Sequence, residues 1–84
     1  MCSETLFVVP AWNEERGLAT LLPKTLAMGP ILVVDDGSVD NTGTVATGFS
    51  NVQVLSKPVN EGYELALVDG LNWAKAQGFK YAIT

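Results

Sequence analysis

The stretch Ile31-Leu-Val-Val-Asp-Asp-Gly-Ser-Val-Asp-Asn-Thr42 constrains this chain more than any other. Four apolar residues, three of them β-branched, run without a break into two acids and a Gly-Ser turn. A strand that is apolar at every position, rather than at alternate ones, has both faces covered. That is the pattern of a central strand in a parallel sheet. The two acids then fall at the strand's carboxyl end, where open α/β sheets bind their ligands. Asp35 and Asp36 there can accept hydrogen bonds from a ligand or coordinate a hard cation. Asp36 and Asp40 equally suit turn formation and helix capping, so this stretch alone leaves both roles open.

The rest of the chain places that strand in an alternating series. Residues 6–9, Leu-Phe-Val-Val, read as a first strand that ends at Pro10, which has no N–H to give to a ladder. Asn13 is placed to cap a helix whose first turn holds Glu14 and Glu15, where the helix dipole favours acids. Leu18, Leu21, Leu22 and Leu26 recur at helical spacing and predict one apolar face. Pro23 in that pattern predicts a kink or a split, and Gly29-Pro30 a stop. Asp40 or Asn41 can cap a short helix through Phe49, with Val45, Ala46 and Phe49 turned inward. Residues 52–55 read as a third strand, residues 60–62 as a turn, and residues 64–77 as the longest helix, with Gly78 as its C-terminal cap. A fourth strand begins at Tyr81.

The longest helix carries small residues every fourth position: Gly62, Ala66, Gly70 and Ala74. Glycine in a helix interior costs about 1 kcal/mol relative to alanine, so Gly70 predicts a close approach between this helix and the sheet. Leu67, Val68 and Leu71 are expected to fill the space beside the stripe. The order β-α-β-α-β-α-β implies right-handed crossovers and a three-layer α/β/α domain with a mostly parallel, Rossmann-like sheet. There is neither a G-x-G-x-x-G nor a G-x-x-x-x-G-K-[ST] motif, so the common dinucleotide and P-loop fingerprints are absent.

Composition removes several chemistries. The 84 residues suffice for one small domain with a modest core. The net charge is −4 with five basic residues, none clustered, which argues against DNA or RNA as a partner. A small nucleotide needs only one or two well-placed groups. The chain has no His, so no imidazole base or ligand is available. Cys2 is the one cysteine, which excludes an internal disulfide and any zinc site built from Cys and His. No apolar run approaches the ~20 residues that span a bilayer, and the N-terminus lacks the positive start of a secretory signal. A cytoplasmic location is therefore expected.

Three motifs together resemble the N-terminal half of the family 2 glycosyltransferases: Val8-Val-Pro-Ala-Trp-Asn-Glu-Glu15, then residues 31–42, then Asn60-Glu-Gly62 with Ala66, Gly70 and Ala74. The resemblance spans nearly the whole chain. It implies the first half of a GT-A fold, with strand order 3-2-1-4, and transfer of a sugar from a nucleotide-diphosphate sugar linked to UDP or GDP. The form Asn-x-Gly-Tyr-x-x-Ala-Leu leans towards members that glycosylate polyprenyl phosphates. By the same resemblance, Pro10, Ala11 and Trp12 line the base and ribose, and Glu14 approaches the ribose. Asp36 accepts a hydrogen bond from the base N–H, Asp35 supports its loop, and Lys57 lies where a base or diphosphate comes close. Each has a plainer counterpart: Trp12 as a hydrophobic plug, Glu14 as a first-turn acid, Lys57 as a solvated charge.

Members of this family continue from the fourth strand into an Asp-x-Asp motif that holds Mg²⁺ or Mn²⁺, and later supply a catalytic acid. Residues 1–84 stop short of both, so the expectation is a donor-nucleotide portion with no catalytic residue or metal ligand of its own. The parent enzyme would carry the metal, the acceptor site and any membrane association on the cytoplasmic side. Two other readings remain at this point. A phospho-acceptor receiver domain also uses Leu-Val-Val-Asp-Asp at a strand end, but it needs a later acceptor Asp, and the sole later candidate, Asp69, sits in a helical pattern. The third is a non-catalytic remnant with an exposed sheet edge.

Overall fold

The computed structural model describes residues 4–84, so Cys2 lies outside the described residues. Seven elements follow in order: β1 (Thr5–Ala11), α1 (Glu15–Leu26), β2 (Ile31–Asp36), α2 (Thr42–Thr47), β3 (Val52–Lys57), α3 (Tyr63–Ala76) and β4 (Tyr81–Ile83). The four strands form one parallel sheet in the order β3-β2-β1-β4. This is the predicted α/β architecture and strand order. No helix among the described residues is long and apolar enough to cross a membrane.

The sheet is covered on both faces, and side-chain alternation assigns each residue to one of them. Leu6 and Val8 of β1 and Leu32 and Val34 of β2 pack with Ala66 and Ala74 of α3. Ala11, Ile31 and Val33 turn the other way, onto Leu18 and Leu22 of α1 and Ala46 of α2. Extending the alternation one step beyond the core sends Asp35 to the α1/α2 side and Asp36 to the α3 side. The two neighbouring acids are thus committed to different layers before any ligand is considered.

The small-residue stripe of α3 has the predicted purpose. A Cβ built on Gly70 would stand 2.5 Å from Val8 Cγ1 and 3.0 Å from Val34 Cγ2. The helix therefore lies nearly on the backbone of β1 and β2. Ala66 and Ala74 are buried on the same side, and Leu67 packs against that core. Val68 and Leu71 do not fill the space beside the stripe; both are exposed. The close approach at Gly70 leaves no gap for them, so they ride on the outer surface of the helix.

Three further expectations are corrected. Pro23 does not split α1, since the helix runs through to Leu26. Pro23 and Ala19, whose carbonyl loses its helical partner, both lie on the exposed face, where water can replace the lost bond. Leu21 shares that outer face at 44% exposure, and the buried face is Leu18, Leu22 and Thr25. Asn13 is not the N-cap of α1. It adopts a left-handed backbone with φ 52°, and Glu14 takes the cap position.

Pro10 does not end β1 but sits within it, paired with Val34. The direction of the strand's N–H groups explains this. Phe7 N–H donates to the Pro30 carbonyl on the β2 side, so alternation points the nitrogen of Pro10 towards β4. Among the described residues β4 pairs with Thr5 to Phe7, so the ladder between β1 and β2 does not depend on a Pro10 N–H. The crevice that opens above Phe7, between β1 and the line of β4, is the topological switch point of the sheet.

Candidate functional site

A cleft of about 340 Å³ occupies that position. It is lined by Pro10, Ala11, Trp12 and Glu14 from the end of β1 and its loop, by Asp36 from the end of β2, and by Asn60, Gly62, Tyr63 and Ala66 from the start of α3. Five of the six residues expected to bind nucleotide therefore converge on one cleft. Asn60, Gly62, Tyr63 and Ala66 were legible as a motif or a helix start, but nothing in their chemistry marked them as cleft walls. Trp12 is 52% exposed and Tyr63 is 63% exposed, so two large aromatic surfaces border a space that holds no protein atoms.

Asp36 is 3% exposed and heavily engaged. Its Oδ2 accepts from the Gly62 N–H at 2.9 Å and from Asn60 Nδ2 at 3.2 Å. Its Oδ1 accepts from the Glu61 N–H at 3.0 Å. Asn60 Nδ2 also donates to the Asp36 carbonyl at 3.2 Å. A carboxylate offers about four acceptor sites; three are taken here, and Oδ1 also lies 4.0 Å from the Lys57 ammonium. Asp36 is first a staple: it fixes the 60–62 turn to the end of β2. The same turn passes directly over Gly37, whose φ is 72° and whose added Cβ would sit 2.3 Å from Asn60 N. Glycine is required there by both backbone conformation and space.

Asp35 performs the supporting role expected of it. Its Oδ1 accepts from the Ser38 N–H at 3.1 Å, closing the turn after β2. From there, a set of hydrogen bonds crosses to the loop that carries Trp12 and Glu14. Asn13 N–H donates to Ser38 Oγ at 2.9 Å, and Val39 N–H donates back to Asn13 Oδ1 at 3.0 Å. Glu14 N–H donates to Thr42 Oγ1 at 2.9 Å, and Glu15 N–H donates to Asp40 Oδ2 at 3.4 Å. Asp40 Oδ1 in turn accepts from the Thr42 N–H at 2.9 Å and from its hydroxyl. Asp40 thus caps α2 as predicted and the start of α1 as well. The Thr42 hydroxyl bond, ahead of the backbone donors, holds the Asp40 carboxyl below its ordinary 3.8.

Lys57 departs from both readings given to it. It is neither a cleft residue nor a solvated charge; its side chain is 8% exposed. β3 runs two residues further than the sequence pattern predicts, through Ser56 to Lys57, and pairs Lys57 in register with Asp36. Lys57 therefore shares the α3 side of the sheet. Its Nζ lies 2.6 Å from Asp69 Oδ2, 2.7 Å from Glu61 Oε1 and 4.0 Å from Asp36 Oδ1. These bonds, that to Asp69 first and that to Glu61 second, hold its ammonium charged well beyond the ordinary 10.5.

The acids that meet at this point meet on an ammonium. Among the described residues no three Asp, Glu, Cys or His side chains are grouped to hold a metal ion. The residues present therefore do not fit the Mg²⁺ or Mn²⁺ that the family resemblance implies.

An open parallel sheet with a cleft at its switch point, lined by two aromatic residues and a hydrogen-bonded carboxylate, defines an α/β domain of the Rossmann type. Sequence comparison makes the assignment specific: residues 6–84 match glycosyl transferase family 2, and the chain belongs to that family. A dolichyl-phosphate beta-glucosyltransferase of Trichomonas vaginalis is 33% identical over 82 residues, covering 79% of this chain and 24% of that protein. A polyprenol monophosphomannose synthase of Mycolicibacterium smegmatis is 30% identical, covering 94% of this chain and 33% of that protein. An undecaprenyl-phosphate mannosyltransferase of Micrococcus luteus is 32% identical, covering 88% and 33%. The chain spans about a quarter to a third of the length of these relatives. The receiver-domain reading falls with this assignment. Asp69, the acid it would have needed, lies within α3 and is bonded to Lys57.

Proposed function

We propose that this chain forms the donor-nucleotide pocket of a glycosyltransferase that moves a sugar from a UDP- or GDP-linked donor to a polyprenyl phosphate. The observation that carries this reading is the cleft at the switch point, where an exposed Trp12 and a buried, oriented Asp36 face one space. Uracil and guanine each present a ring N–H beside carbonyl groups. The Asp36 carboxylate, which lines the cleft, suits that N–H, and a charge-assisted bond there is stronger than a neutral one. Trp12 packs on the base or ribose, while Pro10 and Ala11 set the apolar edge. Glu14, whose carboxylate lies over Gly17 in the first turn of α1, meets the ribose hydroxyls.

The acceptor class rests on the three relatives named above, whose names carry a polyprenyl-type phosphate, and on the Asn-x-Gly-Tyr-x-x-Ala-Leu form of the third motif. In this reading the metal-holding acids, the catalytic base and the acceptor site belong to parts of the parent other than residues 1–84. The divalent ion would screen the leaving diphosphate there, and the parent works at the cytoplasmic face of a membrane.

An amide NMR titration of the 84-residue chain with UDP and then GDP, free of paramagnetic metal, tests the proposal. Shifts at the Trp12 indole and at the amides of Glu61 and Gly62 with one nucleotide support it and name the base. A well-dispersed spectrum unmoved by millimolar amounts of either nucleotide refutes a base pocket formed by this chain by itself.

A further inference from the structure

Lys57 has no role in the base pocket just described, yet its ammonium lies within 4.0 Å of three acids. It ends β3, and its ammonium joins three separately placed acids: Asp36 at the end of β2, Glu61 in the turn after β3, and Asp69 one and a half turns into α3. The bonds to Glu61 and Asp69 are 2.7 and 2.6 Å, short charge-assisted contacts. The contact to Asp36, at 4.0 Å, is electrostatic only. Glu61 and Asp69 are themselves about half exposed, so water could satisfy them. The ammonium is the buried partner, and the acids are brought to it.

The consequence for the cleft follows from who holds the 60–62 turn. From inside, Asp36 binds the N–H groups of Glu61 and Gly62. From outside, Lys57 binds the Glu61 side chain and, through Asp69, fixes the turn against α3. The same turn supplies Asn60 and Gly62 as cleft walls and leads into Tyr63 and Ala66. Lys57 also removes the mutual repulsion of three acids that would otherwise face a phosphate-bearing ligand with an uncompensated negative patch.

We propose that Lys57, anchored by Asp69, is a positioning residue for the nucleotide pocket: it locks the 60–62 turn onto Asp36 without touching the ligand. This rests on the nucleotide-site reading above and adds the device that keeps the site formed. A turn that holds its binding shape a tenth of the time binds its ligand about tenfold more weakly.

The test uses the whole chain in three forms: wild type, Lys57→Met, and the double variant Lys57→Met with Asp69→Met. Two readouts are taken on each: nucleotide affinity by NMR titration, and hydrogen exchange at the Glu61 and Gly62 amides against the Val8 and Val33 amides of the central strands. Lys57→Met is expected to lower affinity about tenfold and to speed exchange at Glu61 and Gly62 while the strand amides stay protected. The double variant removes both charges of the close pair and restores packing, which is often nearly neutral for stability. It is expected to recover the unfolding midpoint but not the affinity. Recovery of both would overturn positioning in favour of a merely structural ion pair, as would unchanged exchange at Glu61 and Gly62 in Lys57→Met. If the wild type binds neither UDP nor GDP, the nucleotide reading fails. The exchange data then still decide whether Lys57 locks the turn.

Discussion

Gly70 offers the most direct check on the packing that holds α3 to the sheet. Replacing it with alanine sets two effects against each other. Alanine is favoured over glycine in a helix interior by about 1 kcal/mol. The added methyl, however, would lie 2.5 Å from Val8 Cγ1 and 3.0 Å from Val34 Cγ2, against an optimal carbon separation of about 3.5–4.0 Å. Both valines are essentially fully buried and, being β-branched, have few rotamers to retreat into. Relief must come from lifting α3 or forcing a side chain off its rotamer. Overpacking of this sort costs about 1–3 kcal/mol, and an overlap of about 1 Å places it in the upper half of that range. The net expectation for Gly70→Ala is a loss of about 1–2 kcal/mol, and Gly70→Val should lose more. Urea unfolding followed by circular dichroism reads this directly, as a midpoint lowered by about 1 M for a slope near 1–2 kcal/mol/M. Gly17 in α1 is the control. There the added Cβ meets only the flexible end of Glu14, at 3.0 Å, so Gly17→Ala should stabilise by about 0.5–1 kcal/mol. The same exchange in two helices is thus expected to give opposite signs. If Gly70→Ala matches or exceeds wild-type stability, the close approach of α3 to β1 and β2 is wrong.

Three other outcomes follow from the site. Gly37→Ala must adopt φ 72° and drive a methyl into the 59–60 backbone; strain alone costs about 1–2 kcal/mol, and the displaced turn should abolish nucleotide shifts at Gly62 in the NMR titration. Lys57 has a folded-state pKa raised above 10.5, so its stabilisation is complete below that pH and is lost as pH rises through the higher folded value. Thermal midpoints of wild type should fall more steeply above about pH 10.5 than those of Lys57→Met. Asp40 is lowered from 3.8, so its contribution is present above that pH and disappears as pH falls through the folded value. Asp40→Asn should flatten the acid limb of the stability profile below pH 3.8, and an unchanged limb would contradict the capping role.

What the sequence made legible, and what it hid, divides along a physical line. Periodicity reports burial, so the apolar run of β2, the helix pattern of α3 and the alternation of elements were enough to predict the parallel sheet. Motif spacing then brought Pro10, Ala11, Trp12, Glu14 and Asp36 to one end of it. The most telling misreadings concern residues whose fate depends on a partner distant in the chain. Asn13 looks like a cap because its chemistry suits one, but Ser38 and Val39 engage it from the loop after β2 and leave Asp40 and Thr42 to hold the start of α1. Pro10 looked like a strand end because prolines usually are. Its place inside β1 depends on which neighbouring strand its nitrogen faces, which no local pattern reveals. Lys57 is the most instructive case. A lone lysine after a short apolar run reads as surface, and only the pairing register with Asp36 extends β3 far enough to bury it. Register is a property of two strands, and the acid that completes the pair, Asp69, is hidden in the polar positions of a helix. The cleft was therefore predictable from residues that speak for themselves, while the network that holds it in shape could be seen only once the strands were laid side by side.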